Sequence, residues 1–248
     1  MTADAGLLLF LYRGCAFRVD DGVQPPKAGS LLFCRHLEFR PGETVLEIGT
    51  GVGLAAVLAA REGCRVLATD VVPAAVECAR ANALLNGVAD RLEVRLGDCF
   101  EPARGQTFDL ICTSPPQMPT PPGRERDDPS AAADNGGVDG WELLDRVIAG
   151  AHAHLKPGGR LIFTMFGFLG PKGACARLEA AGLEPSILAR ETHGFPRIGY
   201  ERLEHIRALD TEGTLAEAGM PGVEASVWNG FFVPSGTPKP VIETLNRE

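Results

Sequence analysis

The 248-residue sequence predicts an α/β fold, a doubly wound and mostly parallel sheet with helices on both faces. Three observations carry this. Short apolar runs rich in β-branched residues alternate with helical patterns from Thr44 onward. The stretch Val45-Leu-Glu-Ile-Gly-Thr-Gly-Val-Gly53, followed by the strong helix formers Leu54 to Ala60, reads as strand, glycine turn, helix. That is the opening of a nucleotide-binding sheet. Finally, the next strands end in Asp70, Asp98 and Ser114, polar groups on the edge where open α/β sheets take ligands.

Residues 1–40 read as an N-terminal extension. Leu7 to Arg18 alternates loosely and fits a strand or a helix, Asp20 to Pro26 is a loop, and Ala28 to Leu37 is helical. Pro41-Gly42 turns the chain into the first core strand. Gly49, Gly51 and Gly53 allow close backbone approach to a ligand. Glu47 sits among apolar residues just before them, and a buried carboxylate needs a partner. Arg65 to Asp70 is the second strand, and its terminal acid can accept both hydroxyls of a ribose. Alternatively, Asp70 caps the helix that opens at Pro73 and stops at Gly87. Arg91 to Asp98 is the third strand, Cys99 following it. Thr107 to Thr113 is the fourth and runs directly into Ser114-Pro-Pro-Gln117, where two prolines fix the backbone.

Residues 117–140 form a proline-studded loop, long enough to be a lid or a solvated insertion. An amphipathic helix from Trp141 to Leu155 precedes the turn Lys156-Pro-Gly-Gly159 and a fifth strand, Arg160 to Met165. Gly173 to Ala181 is helical and Pro185 to Glu191 is a sixth strand. Residues 192–222 interrupt the pattern with aromatic and charged residues before a last strand, Val227 to Val233, and a tail over 236–248.

The net charge of −8 disfavours a protein that grips a nucleic-acid backbone. The seven cysteines include no CxxC pair and read as small core residues of a reducing compartment. No residue set reads as a metal site. The Leu7–Leu11 run is far too short to span a bilayer, so the expectation is a cytoplasmic protein without a membrane partner.

Gly51-Val-Gly53-Leu-Ala-Ala56 with Asp70 also fits a lenient dinucleotide pattern. However, the full string from Glu47 to Gly53 together with Ser114-Pro-Pro resembles the class I S-adenosylmethionine-dependent methyltransferases. The resemblance is to their small-domain and release-factor types, and a nicotinamide enzyme has no need of the Ser-Pro-Pro turn. A weaker similarity, through Pro116-Gln117 and Ile162 to Pro171, is to the catalytic domain of methionine S-methyltransferases. The resemblance implies a Rossmann-like seven-stranded sheet whose last strand is antiparallel, with the methyltransferase domain over 41–235 and residues 1–40 covering the cofactor. It implies that Glu47, Gly49, Thr50, Gly51 and Gly53 hold the methionine end of S-adenosylmethionine. Asp70 and Val71 would take the ribose, and Asp98 and Cys99 the adenine region. Ser114, Pro115, Pro116 and Gln117 would orient the acceptor, and Ser114 would also border the cofactor.

The family pattern has an aromatic residue where this chain has Gln117, and a glutamine stacks poorly but hydrogen-bonds well. With the acidic balance, this favours a small amino-acid-like acceptor methylated on nitrogen, or on sulfur. Pro26, His193, Arg197, Tyr200 and Glu201 are the candidate acceptor contacts. The alternatives are a protein-glutamine or RNA-base N-methyltransferase and a non-catalytic cofactor-binding subunit.

Overall fold

A computed structural model describes residues 8–126, 133–217 and 224–234, with backbone alone at 192–193, 216–217 and 224–234. The ambiguous N-terminal stretch is a hairpin: β1 (Leu8–Tyr12) pairs antiparallel with β2 (Cys15–Val19). Its two-residue turn has both central residues at positive φ, Arg13 at 49° and Gly14 at 73°. That combination matches the twist of the flanking strands, so Arg-Gly was the signal that separates hairpin from helix.

The order then runs α1 (Ala28–His36), β3 (Thr44–Ile48), α2 (Leu54–Arg61), β4 (Arg65–Asp70), α3 (Pro73–Leu85), β5 (Leu92–Leu96) and β6 (Phe108–Thr113). It continues with α4 (Glu142–His154), β7 (Leu155–Phe166), α5 (Pro171–Ala180), β8 (Leu183–Gly194), α6 (Arg197–Glu201), α7 (Leu203–Leu209), α8 (Thr214–Glu217) and β9 (Glu224–Pro234). The main sheet has seven strands in the order β5-β4-β3-β6-β7-β9-β8. Neighbours from β5 to β7 are parallel, and β9 runs antiparallel between β7 and β8. The expected sheet with its antiparallel last strand is therefore present.

Successive strand residues feed opposite cores. Val45 and Leu110 pack with α2, α3 and the hairpin, whereas Leu46 and Ile111 pack with α4 and α5. A strand buried on both faces can be largely apolar, as the Val45-Leu46 and Leu110-Ile111-Cys112 runs are. The hairpin is held by two asparagines one turn apart, Asn82 in the last turn of α3 and Asn86 at its C-cap. Asn82 accepts from Arg18 N at 2.9 Å and donates to Arg18 O at 2.9 Å; Asn86 does the same with Ala16, at 3.0 and 2.8 Å. Two side-chain amides thus take the place of a third strand on the free edge of β2. Asn82 also donates to Val52 O in the glycine turn at 2.8 Å, which ties the extension to the ligand edge.

Two boundaries differ from the sequence reading. Lys156 to Gly159 is a bulge within β7 rather than a turn before it: Phe108 pairs with Leu155, and Leu110 next pairs with Arg160. A Cβ at Gly159 would lie 2.9 Å from Phe108 O, so only glycine fits that close approach. β8 runs on to Gly194 because β9 pairs with it along its full length, so His193 belongs to a strand and the interruption starts at Phe195.

Candidate active site

The sheet order reverses between β3 and β6, and the carboxyl ends of these strands open the crevice where such sheets bind ligands. Thr113 on β6 donates to Ile48 O on β3 at 2.8 Å and fixes the two ends together. After β3, Gly49 and Thr50 both donate backbone N–H to Thr69 O, at 2.8 and 3.0 Å, so the glycine turn leans on β4. Gly49, Gly51 and Gly53 all have positive φ. A Cβ built at Gly49 or Gly51 would meet nothing within 4 Å, whereas one at Gly53 would press on Ala79 Cβ at 3.1 Å. The first two therefore border open space, and the third lets α2 and α3 pack closely.

Two acids face this turn. Glu47 is buried; its Oε2 accepts from Thr50 Oγ1 at 2.5 Å and from Ala56 N at 3.0 Å. Burial pushes its carboxyl up to about 7, against the lowering pull of those hydrogen bonds and with a smaller raising effect from Asp70. Asp70, also buried, accepts from Gly51 N and from Val72 N, both at 2.9 Å. Burial raises its pKa too, with the backbone N–H groups of Val72, Gly51 and Val71 opposing. Asp70 therefore binds the backbone of the two turns rather than capping α3, whose start carries no side-chain cap.

Two adjoining cavities, of about 270 and 320 Å³, share Gln24, Gly49, Gly51 and Ser114 in their walls. The first is bordered by Pro26, Glu47 and Thr50; the second by Asp70, Val71, Asp98 and Cys99. The first cavity sets Glu47 beside the glycine turn, with Asp134 also in its lining; the second sets Asp70, Asp98 and Glu142 with the exposed apolar Val71. Such a donor set fits a ligand with an ammonium at one end and a ribose and flat base at the other. The cavity sizes also suit a small-molecule cofactor. Asp98 is engaged as well, accepting from Arg146 of α4 at 2.7 Å. Arg146, which sequence reasoning did not single out, lines the second cavity beside Asp98.

Ser114 to Gln117 follows β6 as expected, but Gln117 does not present its amide to an acceptor. Its Oε1 accepts from Phe166 N at 2.6 Å, and its Nε2 donates to Thr164 O at 3.2 Å and Pro115 O at 3.4 Å. The side chain is spent as a strut between the Pro-Pro turn and β7. Ser114 Oγ accepts from Thr164 Oγ1 at 3.2 Å, which leaves one lone pair and its proton for a ligand.

The loop after Gln117 returns against its own start. A Cβ at Gly136 would lie 2.5 Å from the Gln117 carbonyl carbon, and one at Gly140 would lie 2.6 Å from Gln117 O. The glycine-rich segment there allows that contact. Arg202, between α6 and α7, is buried and donates to Thr120 Oγ1 at 2.8 Å, Asp134 O at 2.7 Å and Arg124 O at 3.3 Å. Burial, then the nearby Arg126, lowers its pKa. Lys27 of the extension reaches Asp134 at 3.0 Å across the mouth of the first cavity. No local motif marks Arg202, Lys27 or Asp134, because each acts on a segment far away in sequence.

The remaining acceptor candidates change. Gly194 and Ile198 border the first cavity rather than Arg197, Tyr200 or Glu201. Arg197 is 94 % exposed and pairs with Glu201, which also meets Arg126; Tyr200 packs edge-on against Phe195. In these short helices the charged face turns to solvent and the apolar one to the core of Met118, Phe168 and Phe195. The His193 side chain lies outside the described residues.

This sheet, glycine turn and acid pair define a class I methyltransferase. The methyltransferase small domain family matches residues 23–120. A release factor glutamine methyltransferase of Cereibacter sphaeroides is 35% identical over 201 residues, 78% of this chain and 71% of the relative. A putative protein N5-glutamine methyltransferase of Methanocaldococcus jannaschii is 33% identical, covering 71% of this chain and 89% of the relative. A ribosomal protein uL3 glutamine methyltransferase of Bradyrhizobium diazoefficiens is 38% identical over 60% of this chain and 53% of the relative. Among solved structures, an E. cuniculi complex that methylates a translation termination factor has a TM-score of 0.58 at 20% identity, over 86% of this chain and 99% of the other. A ribosomal protein methylase of Lactobacillus delbrueckii subsp. bulgaricus gives 0.54 at 18%, over 88% and 84%. The chain belongs to the release-factor-type family of S-adenosylmethionine-dependent methyltransferases.

The small amino-acid-like acceptor expected from Gln117 is thereby overturned. The two relatives that show the family are named as a release factor glutamine methyltransferase and a putative protein N5-glutamine methyltransferase. The inference failed at its first step, since the Gln117 amide is not free to bind an acceptor. No helix among the described residues is long and apolar enough to cross a membrane.

Proposed function

We propose that the protein methylates the side-chain nitrogen of a glutamine in a protein of the translation apparatus. The observation that carries this is the 35% identity to a release factor glutamine methyltransferase over most of both chains. The geometry supports it: Ser114 borders both cavities, with Pro115 on the first and Pro116 on the second, so an acceptor entering from the first would meet a ligand extending from the second.

Bound S-adenosylmethionine supplies an electrophilic methyl group on a sulfonium. Glu47 and the N–H groups of the glycine turn hold the methionine end, with the Glu47 carboxylate opposite the ammonium. Asp70 takes the ribose hydroxyls, and Val71, Asp98 and Cys99 border the base. Ser114 Oγ and the Pro115 carbonyl accept the two N–H groups of a carboxamide and turn its nitrogen face toward the methyl. Oxygen acceptors there also favour the positive charge that develops on nitrogen, and preorganised dipoles of this kind supply most of the rate in such sites. The product nitrogen then loses its extra proton to solvent. The segment from Gly22 to Cys34 acts as a cover, with Gln24 to Lys27 forming one wall.

The test is transfer from S-adenosylmethionine to the same organism's purified peptide-chain release factor and ribosomal protein uL3, with the modified residue located by peptide mass spectrometry. The reading expects one methyl group on a glutamine. It also expects Ser114→Ala to slow transfer by roughly a hundredfold while cofactor affinity holds. Equal loss of both would remove Ser114 from acceptor orientation.

A further inference from the structure

With Gln117 unable to touch the acceptor, the site needs another flat surface beside Ser114. Phe166, the last residue of β7, borders the first cavity together with Ser114, Pro115 and Gln117. It is half-buried, and its backbone N–H is the group that Gln117 Oε1 holds at 2.6 Å. The ring is backed on one side by Phe168, stacked at 5.0 Å and 14° between planes. Phe168 is in turn braced by the edge of Phe195 at 5.7 Å, and Phe195 by Tyr200 at 5.1 Å. A row of four aromatic rings thus runs from the cavity to the surface, and only its first member borders the cavity. Among the described lining residues the other aromatic is Phe33, which is buried in the core beneath α1.

We propose that Phe166 is the specificity-determining surface against which the acceptor's planar carboxamide packs, and that Gln117 is the positioning residue that fixes it there. This rests on the glutamine reading given above. A carboxamide is flat and its nitrogen lone pair is delocalised perpendicular to that plane, so a ring packed on one face steadies the orientation that the Ser114 and Pro115 oxygens select and leaves the other face for the methyl. Gln117 does from below, through the backbone of β7, what a ring at its own position would do directly. An aliphatic side chain at 166 keeps the apolar volume but loses the face.

The experiment uses the full chain, S-adenosylmethionine and the release factor as acceptor probe. Four variants are compared: Phe166→Leu, Phe166→Tyr, Gln117→Leu and the double variant Phe166→Leu/Gln117→Leu. The dissociation constant for S-adenosylhomocysteine and the near-ultraviolet dichroism report that the fold and cofactor site are intact. The proposal expects KM for the release factor to rise roughly five- to tenfold in Phe166→Leu, the range of an aromatic face lost from a contact. Phe166→Tyr restores the wild-type KM. Gln117→Leu raises KM similarly, and the double variant is no worse than either single one, because both remove the same contact. Wild-type KM in Phe166→Leu, or fully additive losses in the double variant, would overturn the proposal while leaving the glutamine reading in place. A wild-type enzyme that binds cofactor but methylates no protein glutamine would overturn that reading, and this inference with it.

Discussion

Glu47→Gln gives the protein a distinct pH signature. Burial holds the Glu47 carboxyl at about 7 in the ligand-free protein, against an ordinary value of 4.5. The folded chain therefore keeps a proton that the unfolded chain releases as pH climbs from about 4.5 to about 7. Stability contributed by the protonated form is fully present below that window, falls with rising pH inside it, and is gone above it. At about 1.4 kcal/mol for each tenfold difference in proton affinity, the window is worth about 3 kcal/mol. Glutamine keeps an acceptor for Thr50 and Ala56 but has no proton to lose. Urea unfolding of ligand-free wild type and variant, between about pH 4 and about pH 8, should show the wild type losing about 3 kcal/mol relative to the variant. Parallel curves would refute the buried, raised carboxyl. Cofactor binding carries the opposite sign. An ammonium beside Glu47 favours the ionised form, so wild-type affinity for S-adenosylmethionine should tighten as pH rises toward about 7 and binding at lower pH should release a proton. The variant should show neither effect.

Asp70→Asn leaves one of two backbone N–H groups, Gly51 or Val72, without its acceptor and weakens the hold on a ribose. Calorimetry should show adenosyl affinity down by roughly tenfold or more, and unchanged affinity would remove Asp70 from the ribose. Asn82→Ala strips Arg18 N, Arg18 O and Val52 O of their partner, so the urea midpoint should fall by an amount equivalent to about 2–4 kcal/mol. Amide exchange should accelerate at Arg18 ahead of the β3 and β4 core. Arg202→Met fits the buried volume but releases Thr120, Arg124 and Asp134, so limited proteolysis should cut faster between Gln117 and Gly140. Release-factor KM should rise in that variant, with cofactor affinity held.

Much of this architecture is legible in the chain because its signals are local. A strand that ends in alternate glycines, an acid at the end of the next strand and a Ser-Pro-Pro turn after a fourth are each contained in a few residues, and their spacing sets the sheet. Gln117 shows where such reading stops. Its residue type suggested a free hydrogen-bonding group, but whether an amide is free depends on Thr164 and Phe166, which lie a helix and a strand further on. The aromatic surface of the site was equally hidden, since Phe166 enters through β7 and not through the turn itself. The interruption over 192–222 was legible from its aromatic and charged residues, yet the exposed Arg197 and Tyr200 stood out in it more than the buried Ile198 and Arg202. Short helices with mixed faces do not announce which side is buried.

The most direct test of the account is a single assay series on the purified protein. S-adenosylmethionine, S-adenosylhomocysteine and NAD are titrated by calorimetry, and the same preparation is then given S-adenosylmethionine and the release factor. The account predicts binding of both adenosyl ligands, none of NAD, and one methyl group on the side-chain nitrogen of a glutamine. Adenosyl binding with no methyl on any protein glutamine would contradict the proposed acceptor, and failure to bind either adenosyl ligand would contradict the site from its glycine turn onward.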